Sequence, residues 1–321
     1  MMQAAAVADL HGNVLLYELL LRIADAWKLT SIFIAGDLAP SRAETDAGAP
    51  AAGGDGVAAQ RGFFEREFIP LIRSYLLNHR HVDIYAIMGN DDRRANEPLL
   101  ATFSDETPNF HLVNDRLVPL RESRQRRAFF PNEVPLLFVA GYPYVPPGGG
   151  LLMDWVKYEN RVKMRPESMD PCADIYELGI TTSDGEERTT IADDLRDLGT
   201  YLARHGVDAP AYDPARTIHL FHAPPYGTPL DWCAPRGRYQ FLRLPDHVGS
   251  MEIRRFIASV RPYLVLSGHC HESLVMGDYK ADLGETRCVN PGSQAQIDVL
   301  SLVQFDVYDP REMKQFFIHA R

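Results

Sequence analysis

Short apolar runs, each followed by a glycine or a polar residue, recur along the first ninety positions. Residues 2–8, 31–35 and 82–88 have the length and composition of buried strands. Between the first two, Val14–Trp27 carries leucines and an isoleucine at helical spacing, and Asn13 precedes it as a candidate N-cap. Strands that alternate with helices in this way are typical of an α/β layered fold.

The stretch between the second and third strands divides into two parts. Residues 41–60 are rich in Ala, Gly and Asp, which predicts a flexible surface loop. Phe63–Leu77 has the periodicity of an amphipathic helix, but it contains Pro70. Because proline lacks a backbone N–H and its ring clashes with the preceding turn, we expect this helix to kink or split there.

The second half of the chain has a less regular pattern. Residues 142–215 begin with several prolines and a glycine triplet and include one charged helical candidate, Ile191–Arg204. We interpret this stretch as an insertion that could cap a single domain spanning 1–321. A short helix is predicted at Ser250–Val260. The strands predicted in this half are Val134–Gly141, Thr217–Phe221, Tyr263–Ser267, Glu285–Val289, Ser301–Val307 and Met313–Ile318.

Composition narrows the class of protein. The 321 residues carry a net charge of −10, which argues against the broad basic face that sequence-indifferent nucleic-acid binding needs. An apolar content of 45% with 24% charged residues is ordinary for a soluble globule. Four cysteines do not make a disulfide framework, and no signal peptide or membrane-length apolar run is present. We therefore expect a cytoplasmic protein, whose oligomeric state the sequence does not indicate.

Polar clusters directly follow several predicted strands. In α/β folds the functional crevice lies outside the carboxyl ends of the strands, so these clusters are expected to converge. Their side chains offer nitrogen and oxygen ligands without a thiolate, a set that suits zinc, iron, manganese or related divalent ions. The clusters are Asp9-Leu10-His11, Gly36-Asp37, Gly89-Asn90-Asp91-Asp92, His222 and Gly268-His269-Cys270-His271.

The number of ligands indicates two ions rather than one. Seven side chains are too many for a single ion that keeps an open position, and a carboxylate such as Asp37 can be shared. Two cations about 3.5–4 Å apart can activate a water molecule and stabilise both the attacking and the leaving oxygens of a displacement.

In this order, the clusters resemble the signature of the calcineurin-like metallophosphoesterases. Segments 290–293 (NPGS), 222–227 (HAPPYG) and 247–250 (HVGS) are similar to segments of its small bacterial branch. The resemblance covers nearly the whole chain. It implies an α/β fold, a two-sheet β-sandwich flanked by helices, and hydrolysis of phosphomonoesters or phosphodiesters by a metal-bridging hydroxide.

The resemblance also implies the ligands of each ion. Asp9, His11 and His271 would hold one ion, Asn90, His222 and His269 would hold the other, and Asp37 would bridge them. The ions would be Mn, Fe, Zn, Ni or Mg, with Mn or Fe favoured. The partner would be a small phosphorylated substrate, such as a nucleotide, rather than a membrane or a nucleic acid.

One position departs from the family. Many relatives have a histidine where this chain has Asp91, and an ordinary aspartate with a pKa near 3.9 would be ionised and would repel phosphate unless burial raised that pKa. Either the substrate has a good leaving group, another residue supplies the proton, or activity is low. Further catalytic candidates are Asn90, whose amide would stabilise phosphoryl oxygens, Asp92, which would orient its neighbours, and Arg93, a phosphate contact or a solvated charge.

Two other functions are compatible with this fold. A non-catalytic or weakly active protein-binding module could keep this fold, but the complete ligand set argues against it. A nuclease would need a basic groove, and the acidic balance argues against that. We interpret His247 as a loop residue, with a place near the active site as the alternative.

Overall fold

The chain forms two six-stranded mixed sheets in the computed structural model. The third, smaller sheet is a two-stranded hairpin within the predicted insertion. The structure describes residues 3–45, 54–121, 128, 136–147, 154–160, 180–187, 189–205, 212–232, 247–271 and 278–321.

The first sheet has the strand order β14-β13-β1-β2-β3-β4. Strands β1 to β4 run parallel, whereas β13 pairs antiparallel with β1 and β14 pairs antiparallel with β13. The strands are β1 (Gln3–Val7), β2 (Ser31–Ala35), β3 (Asp83–Ile87), β4 (Phe110–Leu112), β13 (Val299–Asp306) and β14 (Asp309–His319).

The second sheet has the order β11-β12-β10-β9-β6-β5. Its four central strands are parallel and its two edge strands are antiparallel to their neighbours. The strands are β5 (Leu117–Pro119), β6 (Phe138–Tyr142), β9 (Thr217–Phe221), β10 (Leu264–Ser267), β11 (Lys280–Leu283) and β12 (Thr286–Val289), and the hairpin consists of β7 (Ile180–Thr182) and β8 (Gly185–Glu187).

An apolar layer holds the two sheets together. Val303, Ala6, Phe33 and Tyr85 lie side by side across the first sheet, and all are buried. They share a core cluster with residues of the second sheet such as Leu220. Because side chains alternate between the faces of a strand, the remaining apolar residues of the same strands pack outward under helices. Both faces of the sheets are therefore covered, as the apolar runs predict.

The helices form the outer layers. The first begins where the sequence predicts, since the Asn13 side chain accepts a hydrogen bond from the backbone N–H of Leu16. The helices are α1 (Val14–Ala26), α2 (Arg42–Thr45), α3 (Gly54–Phe63), a π-helical segment (Phe64–Phe68), α4 (Ile69–Asn78), α5 (Glu97–Glu106), α6 (Ile191–Leu195), α7 (Leu198–His205) and α8 (Met251–Val260). In the described part of the chain, none of them is long and apolar enough to cross a bilayer.

Two predicted segments differ in the structure, and a third is interrupted where its proline predicts. The helix predicted at Phe63–Leu77 is divided just before Pro70 by the π-helical turn, as expected, whereas the one predicted at Ile191–Arg204 is two short helices. The segment predicted as a loop at 41–60 contains α2 and the first residues of α3, whereas 46–53 lie outside the described residues. Gln60 holds the end of this segment in place, because its buried side chain donates hydrogen bonds to the carbonyls of Pro40 and Asp91.

Candidate metal centre

The predicted clusters converge at one end of the sandwich, where strands of both sheets finish. Asp9 and Asp37 stand two residues beyond β1 and β2, and His222 follows β9 directly. Backbone hydrogen bonds join the turns, from Asp9 N to Gly36 O at 3.0 Å and from Gly268 N to His222 O at 3.0 Å. The carboxyl ends of the two sheets therefore present their polar side chains to a common space.

Four of the converging residues have left-handed backbone conformations. The φ angles are 54° at Asp9, 44° at His11, 52° at Asp37 and 68° at His269. A non-glycine residue held there costs on the order of 1–3 kcal/mol, and such residues concentrate at functional sites. Here the cost is offset by pairing between turns, since His11 N donates to Asp37 O at 3.0 Å.

Three side chains form what we call the outer group: Asp9, His11 and His271. Together with Asp37 they bring one ligand atom each within 4.8 Å of one another. His11 Nε2 lies 3.0 Å from His271 Nε2 and 3.9 Å from Asp37 Oδ2, and His271 Nε2 lies 3.9 Å from Asp9 Oδ1.

The outer group fits a divalent cation by its chemistry. Asp9 Oδ2 and His11 Nδ1 are buried without a hydrogen-bond partner, which is unfavourable for polar atoms unless an ion or a water satisfies them. Carboxylate oxygens and imidazole nitrogens at these separations are ligands for a transition metal or zinc.

The inner group consists of Asn90, His222 and His269. Asn90 Oδ1 lies 3.0 Å from His222 Nε2 and 2.7 Å from His269 Nδ1. The Nδ1–H of His222 donates to Ala35 O at 2.8 Å, which directs Nε2 into the site, 3.5 Å from Asp37 Oδ2. A backbone carbonyl that fixes the ring in this way is the usual support of a metal-ligating histidine. Asp37 lies between the two groups.

Burial and charge together set the protonation of the cluster. Burial raises the pKa of Asp9 to about 7 and lowers the pKa of His269 and of His271 to about 3, which keeps both rings neutral, the form that binds a metal. Burial would also raise the pKa of Asp37, but the adjacent His222 and its hydrogen bond outweigh it, so the pKa of Asp37 is lowered. The charge of Asp37 in turn raises the pKa of His222 to about 9 against the effect of burial.

The carboxylate of Asp92 is completely buried behind the site. It accepts hydrogen bonds from the backbone N–H groups of Leu38 (2.9 Å), Ala39 (2.8 Å) and Gly89 (2.9 Å). Asp92 thereby ties together the turns that carry Asp37 and Asn90.

Asp91 and Arg93 occupy different surroundings. Asp91 Oδ2 lies 3.7 Å from His11 Nδ1, and Asp91 N donates to Asp37 Oδ1 at 2.9 Å. Burial, assisted by the charge of Asp37, raises the pKa of the Asp91 carboxyl to about 6. Arg93 is buried, and its backbone N–H donates to Gln60 Oε1 at 2.7 Å.

Two glycines leave room for the ligands. A Cβ at Gly36, where φ is 103°, would lie 2.2 Å from His222 Nδ1, and a Cβ at Gly89 would lie 2.3 Å from Asp37 Oδ1. Both distances are far inside van der Waals contact, so any side chain at these positions would displace a ligand.

Two polar residues near the site were not identified from the sequence. Gln60 was missed because its segment has the composition of a loop, and only the folded chain brings it to Asp91. Asp231 is buried and accepts a hydrogen bond from Nδ1–H of His247 at 2.9 Å. A signal for Asp231 exists, because Thr228 and Asp231 have the spacing of a capping box, which the structure contains.

Comparison with known proteins supports the fold. No family model and no curated sequence matches the chain. Among solved structures, TT1561 of Thermus thermophilus is 16% identical with a TM-score of 0.55, over 100% of this chain and 99% of that one.

Two looser structural matches are both 10% identical. A dimetal phosphatase from Danio rerio has a TM-score of 0.43, over 100% of this chain and 99% of that one. A novel archaeal phosphodiesterase has a TM-score of 0.37, over 99% of this chain and 100% of that one. The two mixed sheets flanked by helices, and the whole-chain likeness to TT1561, confirm the predicted architecture. The protein has a two-sheet α/β sandwich fold flanked by helices, which it shares with TT1561 over its whole length.

Proposed function

We propose that the protein is a metal-dependent phosphoesterase that hydrolyses phosphomonoesters or phosphodiesters. The observation that carries the proposal is the position of Asp37 between two groups of donors. Asp37 Oδ2 lies 3.9 Å from His11 Nε2 and 3.5 Å from His222 Nε2, which supports a carboxylate shared by two ions. Each group also contains two imidazoles, and no thiolate takes part.

The residues fit two divalent cations, Mn or Fe in preference to Zn, Ni or Mg. Asp9, His11 and His271 would hold one, Asn90, His222 and His269 the other, and Asp37 both. When bound, such a pair activates an attacking water and neutralises charge on phosphoryl oxygens.

The remaining polar side chains would position the ester. Asn90 turns Oδ1 toward His222 and His269, so Nδ2 is the end that would donate to a phosphoryl oxygen. Asp91, close to His11, would orient that ring and favours substrates that need no proton from this position. Arg93 would contribute positive charge near the phosphate.

The size of the substrate would be limited by the insertion. The turn of the β7–β8 hairpin docks beside the site loop, where Ala95 N donates to Ser183 Oγ at 2.9 Å and Arg94 pairs with Asp184 at 2.9 Å. The turn of this hairpin lies close to residues 90–93. Its position supports a small phosphorylated substrate, such as a nucleotide, and a capping role for residues 142–215.

A paired assay tests the function. Protein stripped of metal and reloaded with Mn²⁺ is given p-nitrophenyl phosphate and bis-p-nitrophenyl phosphate, beside His271→Ala and a control, His81→Ala, at an exposed position before β3. We expect turnover that His271→Ala loses and His81→Ala keeps, and the preferred ester distinguishes a monoesterase from a diesterase. Two bound ions per chain without turnover on either ester would contradict the proposal and favour a binding module.

A further inference from the structure

A histidine held by a buried carboxylate lies outside the ligand set. Asp231 Oδ1 accepts the Nδ1–H of His247 and the backbone N–H of Thr228, each at 2.9 Å. Asp231 Oδ2 accepts the N–H groups of Gly227 at 2.9 Å and Gly249 at 3.2 Å. With both oxygens engaged, the carboxylate cannot swing away, and the imidazole is fixed in one orientation.

This pair is joined to the turn that carries two of the histidine ligands. A single amide group, Asn290 Nδ2, lies within hydrogen-bond distance of the carbonyls of Leu230 (2.9 Å), Gly268 (3.0 Å) and Cys270 (3.2 Å) and shares its two hydrogens among them. Leu230 immediately precedes Asp231, and Cys270 stands between the two ligands of that turn. Asn290 is itself completely buried, so the connection is part of the core.

A second connection fixes the segment that carries His247. Ser250 N donates to Pro224 O at 2.9 Å, and Tyr226 N donates to Ser250 O at 3.0 Å. Pro224 is only two residues beyond the ligand His222, so the segment 247–250 is paired with the chain as it leaves the site. The His247 side chain is 32% exposed while Asp231 is fully buried, which leaves the far edge of the ring accessible.

The reaction gains from a proton donor at the leaving oxygen, and the Asp91 carboxylate lies against the ligand candidate His11, 3.7 Å from its Nδ1. An ester oxygen that departs from phosphorus with a negative charge is a poor leaving group unless it is protonated or strongly stabilised. We propose that His247, oriented by Asp231, donates the proton to the leaving oxygen. This role rests on the proposed phosphoesterase function. The arrangement is that of a histidine whose Nδ1 is held by an aspartate while Nε2 performs the proton transfer.

The proposed step balances as follows. Water attacks phosphorus and forms the new P–O bond. The P–O bond to the leaving group breaks, and its electron pair stays on the leaving oxygen. That oxygen takes the Nε2 proton of a doubly protonated His247, and the proton released by the attacking water restores the ring.

The kinetic test compares leaving groups. Mn²⁺-loaded wild type, His247→Gln, Asp231→Asn and the control His81→Gln are assayed on p-nitrophenyl phosphate and phenyl phosphate, the second having the poorer leaving group. A general acid contributes about 10²–10⁴-fold, so we expect His247→Gln to lose roughly 100-fold in kcat/KM on phenyl phosphate and under roughly 10-fold on p-nitrophenyl phosphate. Asp231→Asn should show the same trend with smaller losses, because the ring remains but is less firmly oriented.

A readout independent of turnover locates the ring. In NMR spectra, Mn²⁺ loading should broaden the His247 ring signal, assigned by its loss in His247→Gln, far more than the His81 signal. His81 precedes β3, whose other end carries the site, so it lies roughly 20 Å away.

The outcomes separate the two proposals. The proton-donor role is overturned if the His247 signal is not broadened. It is also overturned if His247→Gln keeps its melting temperature but loses kcat/KM equally on both esters. In either case, turnover by the wild type still upholds the phosphoesterase. A wild type that hydrolyses neither these monoesters nor bis-p-nitrophenyl phosphate overturns the phosphoesterase and the role that rests on it.

Discussion

The two halves of the site are built differently. In the inner group, Asn90 Oδ1 lies within 3.0 Å of both imidazoles, and His222 is completely buried and held by Ala35 O. In the outer group, the His271 side chain is 26% exposed, and its Nε2 lies 3.9 Å from Asp9 Oδ1. Because a preformed set of ligands loses less freedom on binding, the inner group should hold its ion more tightly, and the outer ion should exchange more readily.

Asp37 is the side chain on which both halves depend, so its replacement should have the largest effect. Asp37→Asn keeps the size of the side chain and an oxygen that can accept from Asp91 N, but it removes the bridging charge. If the shared carboxylate supports several kcal/mol of charge stabilisation, activity with Mn²⁺ should fall roughly 10³-fold while the melting temperature changes little. Steady-state kinetics and calorimetry on the same preparation check this. Turnover near that of the wild type would remove the bridging role.

Gly89→Ala tests whether the spacing of the two halves matters. The added Cβ would lie 2.3 Å from Asp37 Oδ1, so Asp37 must shift, although Gly89 itself has no positive φ that would add strain. A displacement of about 1 Å can cost about 10²-fold in rate, and we expect a loss of that order with both ions still bound. Kinetics and metal analysis measure the two effects. Gly62→Ala is the matched control, because its Cβ meets only the flexible end of Arg66; equal activities in the two variants would refute the prediction.

The way the site is built also explains which of its features the sequence predicts. Strands such as Ser31–Ala35 and Thr217–Phe221 were predicted with their observed bounds, because a mostly apolar run buried on both faces is followed by a polar ligand. The ligand clusters follow from the same rule, since each stands just after such a strand. Three-residue strands such as Phe110–Leu112 and Leu117–Pro119 were missed, because so short a pairing leaves no periodicity to read.

Contacts between distant segments were also beyond the sequence. His247 carries no local sign of its carboxylate partner, which is 16 residues away. Residues 54–60 have a loop-like composition, but tertiary hydrogen bonds from Gln60 to Pro40 and Asp91 override it. Local pattern thus predicts which residues reach the end of a strand, whereas only the packed structure shows which groups support them.

A matched pair of substitutions compares the halves directly. His222→Gln removes a buried ligand and its bond to Ala35 O, whereas His271→Gln removes a partly exposed one. We expect each variant to lose one ion, with about a tenfold greater loss of Mn²⁺ affinity for His222→Gln, within the 10- to 100-fold range that supporting hydrogen bonds contribute. Equilibrium dialysis with metal analysis gives both the stoichiometry and the affinity. Equal losses, or a greater loss in His271→Gln, would mean that the inner group is not the tighter one.

The smallest effect distinguishes a buried histidine of the core from the ligands. His219 is completely buried between Tyr212, whose hydroxyl donates to Nε2 at 2.9 Å, and Thr217 O, which accepts from Nδ1–H at 3.2 Å. Burial lowers its folded-state pKa to about 3 from 6.5. The unfolded chain therefore binds a proton that the folded protein does not, and stability is lost as the pH falls from about 6.5 toward about 3, by at most about 1.4 kcal/mol per pH unit. His269 and His271 should contribute in the same direction, and bound Mn²⁺ should not reduce their share, because a ligated imidazole cannot take up the proton that it takes up in the unfolded chain. Urea unfolding across this pH range gives the slope of the unfolding free energy against pH. This slope should be smaller for His219→Gln than for the control His81→Gln, with and without Mn²⁺. Equal slopes would show that His219 is not the buried neutral base.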